Sequence, residues 1–258
     1  MSAIELPEWL EATPRPHPAK FSDAILREVE LLIEHHSTTY SPHVLDPFGG
    51  VGKLHEIEGY LSDHSMVPFT MVNELEPEWA VQSVEHGLTR CGDFFELTRY
   101  GLYDWYHRVE DGSYMWWKKG GPYDFIVTSP TYGNRMADKH NARDSSKRMT
   151  YKHQLGRDLT DGSSAGMQWG ESYRIFHTRA WSKVHSLLAD NGFFILNVKD
   201  HVRNKQIINV AQWHVDTCLR VGFDVVERID IHTPGMGFGQ HQQTLKVDHE
   251  ELIVLTKG

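Results

Sequence analysis

Cysteine is almost missing from this chain: Cys91 and Cys218 are the only two in 258 residues, and they lie far apart. Neither a disulfide framework nor a cysteine zinc site can be read from them. The seventeen histidines form no metal-spaced pair with other ligands, so no metal is expected and most are assigned to the surface. No apolar run approaches the roughly 18 residues that a membrane helix needs, and no membrane partner is expected. The segment from Met1 to Pro18 is acidic and lacks an apolar stretch, which gives no sign of a secretory signal. A reducing cytoplasm is the expected compartment. Positive charge is also scarce overall: the formal net charge is -9. That excludes a generic nucleic-acid coat, although a local basic patch can still serve an enzyme acting on nucleic acid. Internal repeats are absent.

What is present is an alternation of strands and helices. Ser22 to Ile33 reads as an amphipathic helix with Ser22 as its N-cap, because Ile25, Leu26, Val29, Leu32 and Ile33 recur at helical spacing. Strands are expected at His43–Leu45, Val67–Val72, Tyr123–Val127, Phe193–Val198, Asp224–Ile231 and Glu251–Leu255. Further helices are expected at Trp79–His86, Tyr173–Leu188 and Ile207–Val221, and a turn at Asp190-Asn191-Gly192. This pattern predicts an α/β fold: a Rossmann-like, doubly wound, mostly parallel sheet. Its last two strands, joined by a loop, form an antiparallel pair at the edge. Residues 1–258 read as one domain, with a loop-rich basic insertion at 134–172.

In such sheets ligands bind beyond the carboxyl ends of the strands. Three strand ends carry suitable chemistry. Asp46-Pro47-Phe48-Gly49-Gly50-Val51-Gly52 is a strand tip running into a glycine-rich turn, where a missing Cβ lets backbone approach a ligand and Asp46 can accept from an amino group. Glu74 follows the next strand at the spacing of a ribose-binding acid. Gly92-Asp93-Phe94 offers an acceptor for an adenine amino group and a ring to cover it. A phosphate loop is excluded, since Leu54 follows Gly52-Lys53, and the nicotinamide pattern Gly-x-Gly-x-x-Gly is absent.

The third strand ends in Thr128-Ser129-Pro130-Thr131-Tyr132-Gly133. Here the chain resembles the amino-methyltransferase family of DNA methylases, the N4-cytosine and N6-adenine enzymes of restriction–modification and phage type. Their signature is Asp/Asn/Ser-Pro-Pro-Tyr/Phe. Thr131 departs from it where a second proline is usual. Asp46–Gly52 is similar to their methionine-binding loop and Glu74 to their ribose-binding acid. His17-Pro18-Ala19-Lys20-Phe21 looks like the segment preceding that loop, and His249–Lys257 like their closing strand. The resemblance implies S-adenosyl-L-methionine as cofactor, held by Lys20, Phe21, Asp46, Pro47, Phe48, Gly49, Gly50, Gly52, Glu74, Asp93 and Phe94. It implies catalysis by Ser129, Pro130 and Tyr132. An exocyclic amine is a poor nucleophile because its lone pair is delocalised into the ring. Acceptors at the Ser129 side chain and the Pro130 carbonyl would draw its nitrogen toward tetrahedral geometry. Tyr132 would stack on a base flipped from the duplex.

From Asn134 to Asp158 there are seven basic residues against three acids. Arg135, Arg143, Lys147 and Arg148 are the candidates for contact with double-stranded DNA. Lys199, Arg203 and Lys205 form a smaller cluster, Gln240, Gln242 and Gln243 are candidates for base-edge contacts, and Trp116-Trp117 is an exposed-looking pair. A recognition segment this small suggests a short target or a homodimer. Two alternatives stand beside this reading: an RNA exocyclic-amine methyltransferase, and a catalytically degenerate methylase fold that only binds. The C5-cytosine class is excluded, because neither cysteine sits in a Pro-Cys pair that could supply its thiolate.

Overall fold

The computed structural model describes residues 6–133, 150–233 and 247–257. Its centre is a nine-stranded sheet. The strands are β1 (His43–Asp46), β2 (Phe69–Glu74), β3 (Leu88–Cys91), β4 (Tyr103–Arg108), β5 (Tyr114–Lys119), β6 (Tyr123–Thr128), β7 (Leu188–Val198), β10 (Phe223–His232) and β11 (His249–Lys257). Their spatial order is β10-β11-β7-β6-β1-β2-β3-β4-β5. The five strands β7-β6-β1-β2-β3 are parallel. β11 is antiparallel to both neighbours, and β4 and β5 form an antiparallel hairpin beyond β3. A two-stranded ribbon, β8 (His201–Arg203) with β9 (Gln206–Ile208), stands apart.

The helices are α1 (Asp23–His36), α2 (Ile57–Asp63), α3 (Pro77–Ser83), α4 (Tyr151–Leu155), α5 (Glu171–Leu187) and α6 (Val210–Val221). Ser22 caps α1 as expected, its hydroxyl accepting from the Ile25 amide. Successive strand residues serve opposite faces. Val44, Phe125, Val127, Ile195, Leu252 and Val254 pack under α1 and α2. Leu45, Ile126, Phe194, Leu196, Ile253 and Leu255 pack under α5 and α6, around Trp181 and Cys218. Both faces are covered, so the central strands are apolar throughout.

The expected sheet holds, and so does the antiparallel pair at its edge, with β10 outermost and β11 wedged against β7. Several boundaries differ. Asp190-Asn191-Gly192 is not a turn before a strand but an irregularity within β7, where the register against β6 slips between Tyr123 and Phe125. Residues 206–208 are a strand, and α6 begins only at Val210. The β4–β5 hairpin and α2 were not foreseen. Trp116 and Trp117 lie on β5 and are exposed. Among the described residues no helix is long and apolar enough to cross a membrane. Leu45 is fully buried on the central strand; Leu45→Ala should cost about 2–5 kcal/mol, read as a lower urea midpoint at unchanged slope.

Candidate functional site

The chain runs outward from β1 through β2 to β3, then returns so that β6 pairs with the other side of β1. A crevice opens where the strand order reverses. It holds a cavity of about 440 Å³ walled by the loops after β1, β2, β3 and β6, by the strap His17–Phe21, by Tyr151 of α4 and by Glu250 of β11. Lys20, Phe21, Asp46, Pro47, Phe48, Gly49, Gly50, Glu74, Asp93 and Phe94 all line it, as do Ser129, Pro130 and Tyr132.

Gly52 does not. It has a φ of 78°, and a Cβ there would stand 2.4 Å from the Ser83 hydroxyl of α3. At Gly49 a Cβ would meet Val72 of β2 at 2.3 Å. At both positions the scaffold itself needs the missing Cβ, and Gly49 lines the cavity as well.

Asp46 is buried, and its Oδ1 accepts from the Thr128 hydroxyl at 2.8 Å and the Phe48 amide at 3.0 Å. Burial outweighs these bonds and raises its carboxyl to about 7. Glu74 is buried too: Oε2 accepts from the Gly50 amide at 2.8 Å, and Oε1 from the Leu75 and Glu76 amides. Burial raises it to about 8. Each carboxylate oxygen has two acceptor positions, so Oε2 of Glu74 keeps one to spare. Glu76 is not part of the cavity; with Glu78 it clamps Arg157, through Arg157 Nη2 at 2.8 and 2.6 Å, and it also holds Thr160.

Two groups of aromatic side chains line the cavity. Phe48 meets Phe94 edge-on at 5.3 Å, with Phe95 and Phe176 beside them. In the second group His17 packs edge-on against Trp79 at 4.5 Å and near Tyr151. Burial lowers His17 to about 4, so it is neutral. Asp93 spends Oδ1 on capping its own loop, at the Phe95 amide.

At the other end Ser129 Oγ lies 2.8 Å from Tyr132 Oη, and Tyr132 donates to Glu250 Oε2 at 2.9 Å. Asn197, at the tip of β7, donates to Ser129, Tyr132 and Glu250. Thr131 is held from both sides. Its hydroxyl donates to the Ser164 carbonyl, and its carbonyl accepts from Tyr173 at 2.8 Å. Behind Tyr173 lies buried His214. Its Nδ1 accepts from the Trp181 indole at 2.9 Å, so Nε2 carries the hydrogen and donates to the Tyr173 oxygen at 2.9 Å. This chain of bonds fixes the turn where a second proline would have stiffened it.

Arg135, Arg143, Lys147 and Arg148 lie outside the described residues, as do Gln240, Gln242 and Gln243. Of the remaining bases in that insertion, Arg157 is consumed by Glu76 and Glu78, and Lys152 pairs with Asp158. Lys199, Arg203 and Lys205 do not act as one cluster: Lys199 reaches into the cavity wall at Thr233, and Arg203 binds the Trp169 carbonyl. Burial pushes the Cys91 thiol up to about 12, and Cys218 higher still, so neither is a thiolate. Among the described residues no cluster of three or more His, Cys, Asp or Glu is placed to hold a metal. Sequence reasoning missed Asn197, Glu250, Trp79 and Tyr151, which no local motif marks.

No protein-family model and no curated protein sequence matches this chain. Solved structures do. A protein from Listeria monocytogenes assigned to the class I S-adenosylmethionine-dependent methyltransferases is similar over 92% of this chain, with TM-score 0.53 and 12% identity. This chain spans 60% of that protein's length. An S-adenosylmethionine-dependent methyltransferase from Clostridium acetobutylicum matches over 91% of both chains at TM-score 0.50 and 8% identity. The cyclase SpnF matches over 95% of this chain and 88% of its own at TM-score 0.51 and 9% identity. At such identities the likeness establishes the fold, that of the class I methyltransferases, and the cyclase shows that this fold is not tied to one reaction.

Asp46 and Glu74 hold protons to higher pH in the folded chain than in the unfolded one. The stability they contribute is full below about pH 4 and is lost as pH rises through about 7 to 8. The melting temperature of the ligand-free protein should therefore fall as pH rises from about 4 to about 8. Asp46→Asn should flatten that fall by about 3 °C or more in a calorimetric series.

Proposed function

We propose that this chain is an S-adenosylmethionine-dependent methyltransferase acting on the exocyclic amine of a base in duplex DNA, at N4 of cytosine or N6 of adenine. The observation that carries the reading is the meeting of two chemistries in one cavity. Ser129, Pro130 and Tyr132 line the same space as Asp46 and Glu74.

The residues present fit the cofactor. Asp46 has both of its hydrogen bonds on Oδ1, so Oδ2 suits an amino group. The spare acceptor on Glu74 Oε2 suits a ribose hydroxyl, and the Phe48, Phe94 and Phe95 wall suits an adenine ring. When bound, the cofactor supplies a methyl group on a sulfonium centre. The chain does the rest. Ser129 Oγ and the Pro130 carbonyl accept from the amine, Tyr132 presents its ring, and the enclosing aromatic walls keep water out. Positioning and electrostatics of this kind supply most of the rate.

Against the degenerate alternative, which the departure at Thr131 favours, stands the ordering of that turn through Tyr173 and His214, which supports a catalytic reading. The DNA assignment is supported by the basic residues Arg135, Arg143, Lys147 and Arg148 inside a chain of formal net charge -9. The expected setting is a bacterial or phage-infected cytoplasm, in a restriction–modification or phage role.

The chain expressed in a methylation-free bacterial host should put N4-methylcytosine or N6-methyladenine into host DNA at a defined motif. Ser129→Ala should cut this by about 100-fold or more while cofactor binding persists. Methylated base in host RNA alone would move the reading to RNA; none in either would remove it. Replacing Arg143, Lys147 and Arg148 together by Ala should weaken DNA binding and lower its log–log salt slope by roughly 2.7. An unchanged slope would exclude these residues as the contact.

A further inference from the structure

Glu250 is the acidic side chain at the Ser129 end of the cavity, and nothing in the sequence motif accounts for it. It reaches the site through topology. β11 runs antiparallel to β7, so its first residues come level with the tip of β7. There Glu250 Oε2 accepts from Tyr132 at 2.9 Å and from Asn197 at 2.8 Å. Asn197 is buried, its Oδ1 has no partner among the described residues, and its Nδ2 serves Ser129, Tyr132 and Glu250. Only the amide N–H can face a carboxylate, so Glu250 sets that orientation at the expense of an unpaired carbonyl. Lys199 Nζ, bonded to Thr233, makes a long 4.0 Å ion pair with Glu250 Oε1 that favours its carboxylate form and leaves Oε2 to Tyr132 and Asn197.

We propose that Glu250 is the terminal acceptor for the proton released on amine methylation, reached from the nitrogen through Ser129 and Tyr132; this rests on the function proposed above. The nitrogen lone pair forms the new N–C bond as the C–S bond breaks, and that electron pair stays on sulfur. The nitrogen then carries one proton too many. It gives that proton to Ser129 Oγ while the Ser129 proton passes to Tyr132 Oη and the Tyr132 proton to Glu250 Oε2. Serine and tyrosine end neutral, the base ends as a secondary amine, and the carboxylate becomes a carboxylic acid. Its side chain is 18% exposed, which lets it return the proton to water.

The other members of the network cannot end the transfer. A protonated serine hydroxyl is far too acidic to persist. Tyr132 is held neutral, because burial first and the Glu250 charge next push its phenol well above the ordinary range. Among the described residues the charged and titratable groups around Glu250 are Tyr132 after β6, Lys199 after β7, His232 of β10 one register position away, His249 and Glu251 beside it on β11, and Asp248 just before that strand.

The test uses the purified full chain, cofactor and unmethylated genomic DNA under single-turnover conditions across pH. Glu250→Gln should slow methyl transfer by about 100-fold to 10,000-fold and flatten the acid limb of the rate–pH profile. Calorimetric affinity for the cofactor should stay within about twofold, and Glu250→Asp should recover part of the rate with the acid limb restored. Tyr132→Phe breaks the same path without touching Glu250 and should flatten the profile likewise. A Glu250→Gln rate within about threefold of wild type at every pH overturns the proposal while leaving the methyltransferase reading intact. If Glu250→Gln loses cofactor binding, Tyr132→Phe decides, and an unflattened profile overturns the proposal. A wild-type chain that methylates neither DNA nor RNA overturns the functional reading and this proposal with it.

Discussion

The hydrogen bond from Thr128 to Asp46, 2.8 Å long and wholly buried, is what the rest of the site hangs from. Thr128 is the last residue of β6 and Asp46 the last of β1, two strands paired at the point where the sheet reverses direction. One bond thus fixes the carboxylate suited to the cofactor and, one residue along the chain, the serine suited to the amine. The β1 loop is gripped from its other flank as well. Asn73 donates to the Pro47 and Gly92 carbonyls, and Gly50 and Gly49 donate to Glu74 and the Asn73 carbonyl. Geometry held this closely is what positional catalysis requires.

The site is built at the expense of stability. Two carboxylates, Asp46 and Glu74, are buried with no cation among the described residues beside them, and their pKa values near neutrality reflect that cost. Buried acids of this kind cluster at functional sites, because selection for fold alone would replace them with apolar groups of similar size. The contrast is Glu76, equally buried but paired with Arg157 and Thr160, which joins the insertion to α3. The same contrast separates Glu250 from Glu251. Glu251 is bonded directly to Arg228 on the neighbouring strand, whereas Glu250 faces the cavity with a long Lys199 ion pair on Oε1 and neutral donors on Oε2.

Thr131 shows how a departure from a motif can be absorbed. A proline restricts a turn through its own ring. Here the restriction comes from outside, through the Ser164 carbonyl on one side and the Trp181–His214–Tyr173 chain on the other. Three buried residues of α5 and α6 replace one ring in the loop.

Residue pattern alone determined the α/β class, the strands that carry the site and most of its lining. Those features are written locally: apolar runs of strand length, a capped amphipathic α1, and glycine or proline immediately after a strand. The structure shows that Gly52 packs against Ser83 away from the cavity lining and that Gly49, which lines the cavity, also packs against Val72, because a missing Cβ does not say which neighbour needs the space. It also drew Asn197 and Glu250 to Ser129 from 68 and from more than 100 positions away. Their place follows from β11 being inserted antiparallel against β7 and from strand register, neither of which any local spacing encodes. Local propensity decides which strand ends bear chemistry. The order and direction in which the strands assemble decide which of those ends share a cavity.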